Sequence, residues 1–489
     1  MNSVASCSND PGGRTDGRRT GVASLAVATA ISSALAFGAC GAPEMRVEPE
    51  RIVLVTIDTL RADHLPFFGY PIDTAPFLTS LADRSINFTK AFSHSATTGP
   101  SHSSLFTSLY PLQHRVQNNG QRLDDGFVTL SEALADRGFE TAAFVSGGAL
   151  FGDSNIAQGF ATYETPRMTT RNDNGNLIRY QSANRTTDAA IRWLQTGAAD
   201  GKFFLWVHYF DPHNPLRPPQ QHLDQVTPAP GEATTRHRAF LTDEQEIVAA
   251  RPRFELIERY DAEIRFMDEH LGRLYEAFAP LGLDSNTLWV ITADHGQGLG
   301  THKWWGHHRY IYNEQIRVPL IFHFSDADAL GVEPRTVDDA LAEHVDVPVT
   351  IMDLLGGTLD GQRGQVQGRS LTPLIFAGAE ADVDRRAYAF SERRRIFQDF
   401  SDDHPEAGER YALQDFQHKY LWSSLGADEL YDIAADPYET RNLIDVAPQA
   451  RVRMKQTIER IVAALDSNEE AEIVDEVTLE QLRSLGYVR

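Results

Sequence analysis

Apolar residues fall along this 489-residue chain in short unbroken runs, separated by longer stretches of helical period. The first run, Arg51-Ile52-Val53-Leu54-Val55-Thr56-Ile57, is apolar at almost every position and stops at Asp58. That is the pattern of a strand covered on both faces. Thr141–Val145, Phe203–His208, Thr287–Thr292 and Pro319–Phe324 read the same way. Between them, Thr74–Arg84, Leu130–Arg137, Thr187–Gln195 and Arg259–Phe278 carry the helical period. Such alternation predicts an α/β fold: a mostly parallel sheet covered by helices on both faces. The stretch 214–252, rich in Pro, Gln, Thr and charge, reads as a surface excursion. From about residue 385 the runs shorten to AYAFSE, RYALQDF and KYLWSSL, which predicts a small antiparallel sheet, with a helix over 448–465. The expected organisation is a large domain over 51–380 and a small α+β domain over 381–489.

The N-terminus has a different texture. Arg14, Arg18 and Arg19 precede an uncharged run, Thr20–Ala39, that ends in Phe37-Gly38-Ala39-Cys40. A basic region, an apolar region and small residues in that order read as an export signal over 1–40. Gly-Ala-Cys resembles a bacterial lipobox, with Cys40 as the lipidated residue, although Phe37 stands where Leu is usual. Cleaved soluble export and an uncleaved anchor are the alternatives. All three place the body outside the cytoplasm, in the cell envelope, and residues 41–50 read as a tether.

Composition narrows the function. With 45 basic and 68 acidic side chains the formal charge is −23, which argues against a nucleic-acid partner. The two cysteines, Cys7 and Cys40, leave the body of the chain without thiols. That excludes a disulfide framework and a Cys-based metal site.

Ligands bind at the carboxyl ends of parallel strands, and ionisable residues cluster there in the sequence. Asp58 follows the first run, Asp211 and His213 follow FFLWVHYF, and Asp294 and His295 follow TLWVITA. His302, His307 and His308 come soon after. Carboxylate with imidazole is a ligand set for a divalent ion. The bland reading of each such Asp, a helix cap, stands beside it. The segment Thr97-Thr98-Gly99-Pro100-Ser101-His102-Ser103-Ser104 is a hydroxyl-rich turn before an apolar stretch. It reads as a helix N-cap, or as a nucleophilic hydroxyl at a helix N-terminus, where free N–H groups favour an anionic ester. Arg393-Arg394-Arg395 reads as a solvated run that can also meet an anionic polymer.

Seven ordered segments carry a family resemblance: VTIDTLRADHL, TTGPSHSSLFTSLYPLQHRV, FFLWVHYFDPHNP, VITADHGQGLGTH, WGHHRYIYNEQIRVPLIF, ELYDIAADPYETRNL and LRSLGYVR. From about residue 50 to 489 the chain resembles the sulfatase family of the alkaline phosphatase superfamily. The resemblance implies a large alkaline-phosphatase-like domain, a small C-terminal antiparallel domain, and hydrolysis of sulfate or phosphate esters with a divalent metal. It implies metal-ligand positions at Asp58, Asp294 and His295, with Thr98 as nucleophile. Asp211, His213 and His307 match positions for a second metal or the ester oxygens, His302 matches a histidine of the GEH-like segment, and His213, His302 or His307 is the expected proton donor to the leaving oxygen. His102 stands where sulfatases carry Arg, and His308 where they carry a substrate-binding Lys. Thr59 replaces an Asp and Gln297 a Glu. Thr98 cannot become formylglycine, which sulfatases make from Cys or Ser. Relatives with Thr there include nucleotide phosphodiesterases and phosphoglycerol-type transferases. The expectation is therefore one or two ions of Zn, Mn or Ca, and an anionic ester substrate of small-molecule, glycan or lipid type. Phosphoesters are somewhat favoured over sulfate esters, and a transferase or a non-catalytic binding relative is the alternative.

Overall fold

The computed structural model describes residues 48–166, 170–171, 177–197, 199–226, 251–376, 383–394 and 408–465. The export signal, Cys40 and most of the tether lie outside them, as do Arg395 and the tail segment LRSLGYVR. Among the described residues no helix is long and apolar enough to cross a membrane.

The main sheet contains β1 (Arg51–Ile57), β2 (Ile86–Phe92), β3 (Glu140–Val145), β4 (Thr162–Glu164), β5 (Phe203–Tyr209), β6 (Thr287–Ala293), β7 (Arg317–Phe324) and β8 (Arg335–Val337). Their order is β8-β2-β7-β6-β1-β5-β3-β4, with a short segment at Ala342–Glu343 added beside β2. β1 sits at the centre, parallel to β5 on one side and β6 on the other. β7 alone runs against its neighbours, pairing antiparallel with both β6 and β2. Strands β5 and β6 are buried at all seven positions, which is why their sequences show no alternation. Helices α1 (Pro76–Ala82), α2 (Thr98–Thr107), α3 (Leu130–Ala135), α4 (Ala183–Leu194), α5 (Arg251–Glu276) and α6 (Asp346–Leu354) surround the sheet. A separate antiparallel sheet follows, β9 (Ala389–Arg393), β10 (Arg410–Gln414), β11 (His418–Ser423) and β12 (Glu429–Asp432), in sequence order. The final helix, α7 (Pro448–Leu465), packs on it, with Met454 and Ile458 buried against Tyr411 and Tyr420.

Strand runs were the most legible signal, and two elements differ in instructive ways. β2 has the sequence INFTKAF, whose internal Thr89 and Lys90 hide its place between two strands. Helix α4 starts at Ala183, before the predicted Thr187, because the Ala183 N–H finds a cap far away in sequence, Asp211 Oδ2 at 2.7 Å.

Candidate active site

Asp58 leaves the carboxyl end of β1 and Asp294 that of β6. The parallel register pairs Ile57 with Ala293, so both carboxylates emerge side by side. His295 follows directly. Asp58, Asp294 and His295 are buried and offer ligand atoms within 4.8 Å of one another. The turn between them is tight. Thr59 takes a φ of 57°, a conformation that costs a β-branched residue roughly 1–2 kcal/mol. It is held from both sides: its N–H donates to Asp294 Oδ1 at 3.1 Å, and its carbonyl accepts the Tyr260 hydroxyl at 2.7 Å. Gly296 is required by close approach, since a Cβ there would lie 2.2 Å from the Glu314 carbonyl oxygen.

The two carboxylates are driven apart electrostatically. Burial raises Asp58, but His213, His208 and His295 outweigh it and hold that carboxyl well below the usual carboxylate range. Asp294 is pushed up to about 6, by burial first and by the Asp58 charge, against the pull of His295. Asp294 Oδ2 is buried without a hydrogen-bond partner among the described residues. A divalent cation fits this donor set, in which two hard oxygens and one imidazole converge without thiols.

Thr98 opens α2 and places its Oγ1 3.3 Å from His295 Nε2. His295 Nδ1 lies 2.8 Å from the Gly296 carbonyl. A carbonyl only accepts, so Nδ1 carries the proton and Nε2 presents its lone pair to Thr98 Oγ1. His213 and His307 are fixed the same way, Nδ1 donating to the Asn214 carbonyl at 2.7 Å and to Gln297 Oε1 at 2.9 Å. The His307 ring packs 4.9 Å from His295 and 5.0 Å from His213, and 3.8 Å from His308. His308 in turn sets Nδ1 3.3 Å from Thr97 Oγ1. Gln297, at a departure from the family pattern, thus has a visible task in orienting His307.

The helix start offers less to an anion than the sequence suggests. The Gly99 N–H donates to Asn119 Oδ1 at 2.7 Å, and Pro100 has no N–H. The dipole of α2 remains as the positive feature on that side. The body of α2 is fixed by Ser101, whose hydroxyl donates to the Asp294 carbonyl at 2.7 Å.

Three of the expected site residues are turned elsewhere. Asp211 caps α4 through the Ala183 N–H and pairs with Glu263. Burial raises both carboxyls, and the Asp211 charge raises Glu263 further, so Glu263 keeps its proton and donates it to Asp211. His102 is fully buried: its Nδ1 donates to the Thr98 carbonyl at 2.9 Å and its Nε2 lies 3.0 Å from Thr56 Oγ1. His302 sets Nδ1 3.3 Å from Glu314 Oε1 and donates Nε2–H to the Glu439 carbonyl at 3.1 Å, stacked on Tyr312. Burial would lower His302, but Glu314 and Glu439 raise it, which makes it a structural cation. Arg61 and Asp63 form a paired brace, with Arg61 also reaching the Gln297 carbonyl and Glu314.

Sequence reasoning missed His208, Asn119 and Tyr260. His208 hides inside an apolar run, yet its register partner is Thr56 and its Nε2 sits 3.7 Å from Asp58 Oδ2. A lone His in a fully buried strand was the available signal. Tyr260 and Asn119 come from a helix and a loop with no local mark.

The chain has relatives in sequence and in fold. The family model described as sulfatase matches residues 50–357, and one described as N-sulphoglucosamine sulphohydrolase, C-terminal, matches 300–466. An ulvan-active sulfatase of Formosa agariphila is 25% identical over 82% of this chain and 78% of its own length. The multifunctional alkaline phosphatase superfamily protein PehA of Trinickia caryophylli is 25% identical over 83% of this chain and 93% of its own. Among solved structures, one in complex with its substrate D-glucosamine-2-N,6-O-disulfate superposes with a TM-score of 0.69 at 21% identity, covering 86% of this chain and 99% of that one. The phosphonate monoester hydrolase of Agrobacterium radiobacter gives 0.66 at 21% identity, covering 86% and 96%.

Proposed function

The chain belongs to the sulfatase family, and from that premise we propose a metal-dependent hydrolase of anionic esters in which Thr98 is the nucleophile. It is an ester hydrolase of sulfatase type. The observation that carries the rest is the Thr98 hydroxyl, 3.3 Å from an imidazole that shares its cluster with two buried carboxylates.

Asp58, Asp294 and His295 would hold the cation. When bound, it supplies positive charge that favours ionised Thr98 and neutralises the anionic ester. Asp211 is engaged with α4 and Glu263, so two carboxylates rather than three face the ion. A single divalent cation balances that charge. With the His295 Nε2 lone pair on the cation, the Thr98 hydroxyl 3.3 Å from that nitrogen would lie beside the ion, which lowers the cost of losing its proton. Thr98 Oγ1 attacks the phosphorus or sulfur, and the bond to the leaving oxygen breaks. His213 or His307 takes up the proton that Thr98 loses and hands it to that oxygen, the ester's negative charge offsetting the burial that lowers His213. Water then displaces Oγ1 and releases the inorganic anion, regenerating Thr98.

Direct attack by an ordinary hydroxyl, without an aldehyde hydrate, favours phosphoesters over sulfate esters. The likeness to PehA, which its name describes as multifunctional, supports assaying more than one ester type. Matched nitrophenyl sulfate, phosphate monoester and phosphate diester test this on metal-quantified protein. We expect a phosphoester to dominate, Thr98→Ala to abolish turnover, and Thr98→Ser to keep a measurable fraction. Dominant sulfate hydrolysis would overturn the preference. Turnover that survives Thr98→Ala would overturn the nucleophile.

A further inference from the structure

Thr56 lies inside the first apolar run, where its hydroxyl has no water to turn to. It sits on β1 two residues before Asp58, opposite His208 of β5 in the parallel register. Thr56, His102, Trp206 and His208 all have zero exposure. Among the described residues, three ring nitrogens converge on Thr56 Oγ1: Trp206 Nε1 at 2.9 Å, His208 Nδ1 at 3.0 Å and His102 Nε2 at 3.0 Å.

Each hydrogen in this knot has one place. The Trp206 indole only donates. His102 spends its Nδ1–H on the Thr98 carbonyl at 2.9 Å. Burial first, and His208 next, hold the His102 ring well below its ordinary value, so the ring is neutral and its Nε2 is bare. The Thr56 hydrogen therefore goes to His102 Nε2. Oγ1 then accepts from Trp206 and from His208, whose Nδ1 carries a hydrogen. The hydroxyl's one hydrogen and two lone pairs are all used, and removing it strands three buried ring nitrogens.

The two histidines lead to the two halves of the catalytic centre. His102, one turn into α2, grips the carbonyl of the nucleophile's own residue, Thr98. His208 turns its other edge to Asp58, with Nε2 3.7 Å from Oδ2. The two rings meet edge to face with centres 5.0 Å apart. Thr56 thus ties the helix that carries the nucleophile to the strand that carries a candidate metal ligand. A reacting pair misplaced by a fraction of an ångström loses rate steeply.

We propose that Thr56 is a positioning residue whose hydroxyl, acting through His102 and His208, sets Thr98 against the cation at Asp58. The effect on turnover rests on the hydrolase reading, and the effect on cation binding does not.

The test compares Thr56→Val, which keeps the branched shape and removes the hydroxyl, with Thr56→Ser, which keeps the hydroxyl. Manganese affinity is read from the electron paramagnetic resonance of the free ion, and kcat and KM with nitrophenyl phosphate. We expect Thr56→Val to lower kcat at least tenfold with KM within twofold, and to weaken manganese binding at least fivefold. Thr56→Ser should return both quantities to within twofold of the parent. Values for Thr56→Val within twofold of the parent overturn the proposal. Equal losses in Thr56→Ser and Thr56→Val also overturn it, since packing rather than the hydroxyl is then at fault. If Thr56→Val does not fold, the parent decides: in protein carrying 15N-histidine, the ring whose signals vanish in His102→Gln must hold its hydrogen on Nδ1, and a hydrogen on Nε2 overturns the assignment. If the parent hydrolyses no ester but its manganese affinity follows the expected series, the hydrolase reading fails and the Thr56 tie stands. If Thr98-dependent hydrolysis is present and Thr56→Val changes neither quantity, the reverse holds.

Discussion

His114 offers a measurable link between pH and the helix that carries Thr98. It is fully buried beneath α2, with Nδ1 accepting the Val116 N–H at 3.2 Å and Nε2–H donating to Ser104 Oγ at 3.0 Å. Only the neutral ring satisfies both bonds, because a proton on Nδ1 would face the Val116 N–H. Burial, and then the neighbouring His94, lower its ordinary value of 6.5 to about 3. The unfolded chain therefore takes up a proton below pH 6.5 that the folded chain refuses until about pH 3. Stability contributed by this site is intact above 6.5 and is lost as pH falls. At pH 5 the loss is about RT ln(1 + 10^1.5), or ~2 kcal/mol, and at pH 7 it is ~0.2 kcal/mol. Glutamine at this position keeps one acceptor and one donor but does not titrate. His114→Gln should be less stable than the parent at pH 7 by about 1 kcal/mol. By pH 5 the difference should move by about 2 kcal/mol in the variant's favour. Urea unfolding followed by tryptophan fluorescence at both pH values reads this directly. A stability difference that stays the same from pH 7 to pH 5 would refute a neutral buried His114.

Other outcomes follow from the same geometry. Asp294, pushed up to about 6, must lose its proton to bind a cation, so apparent metal affinity in chelator competition should fall about tenfold per pH unit below that value. Asp294→Asn should remove the pH dependence together with most of the affinity. His302→Ala should lower kcat less than tenfold, because its ring serves Glu314 and Glu439. His213→Ala and His307→Ala should each cost on the order of 10²-fold or more; equal losses at all three would put His302 back in the reaction. Arg386 binds Glu343 at 2.7 Å and also Asp346, both carboxylates buried and the guanidinium largely so. Arg386→Met strands two buried carboxylates and should cost about 3–5 kcal/mol, seen as a drop in Tm, and Glu343→Gln with Asp346→Asn should recover part of it.

Much of this protein is set by local sequence. Unbroken apolar runs such as FFLWVHYF specify buried parallel strands because no face of theirs meets water. Since such strands carry ligands at their carboxyl ends, Asp58, Asp211, His213, Asp294 and His295 were readable as one group, within which the family resemblance marked Asp58, Asp294 and His295 as metal positions. The period of 448–465 likewise specified α7 to the residue. What one-dimensional pattern cannot hold is direction. Asp211 and Asp58 look alike at the ends of adjacent strands, but Asp211 turns to the free N–H of Ala183, 28 residues earlier, and Asp58 turns inward. His302 and His307 lie five residues apart, yet Glu314 draws one away while Gln297 fixes the other beside Thr98's partner His295. Arg393 and Arg410 are ordinary charges in the sequence, and only strand register sets them face to face. The chain's pattern thus determined which side chains reach one end of the sheet. Long-range hydrogen bonds and strand pairing, paid out over contacts that no local segment contains, decided which of them meet.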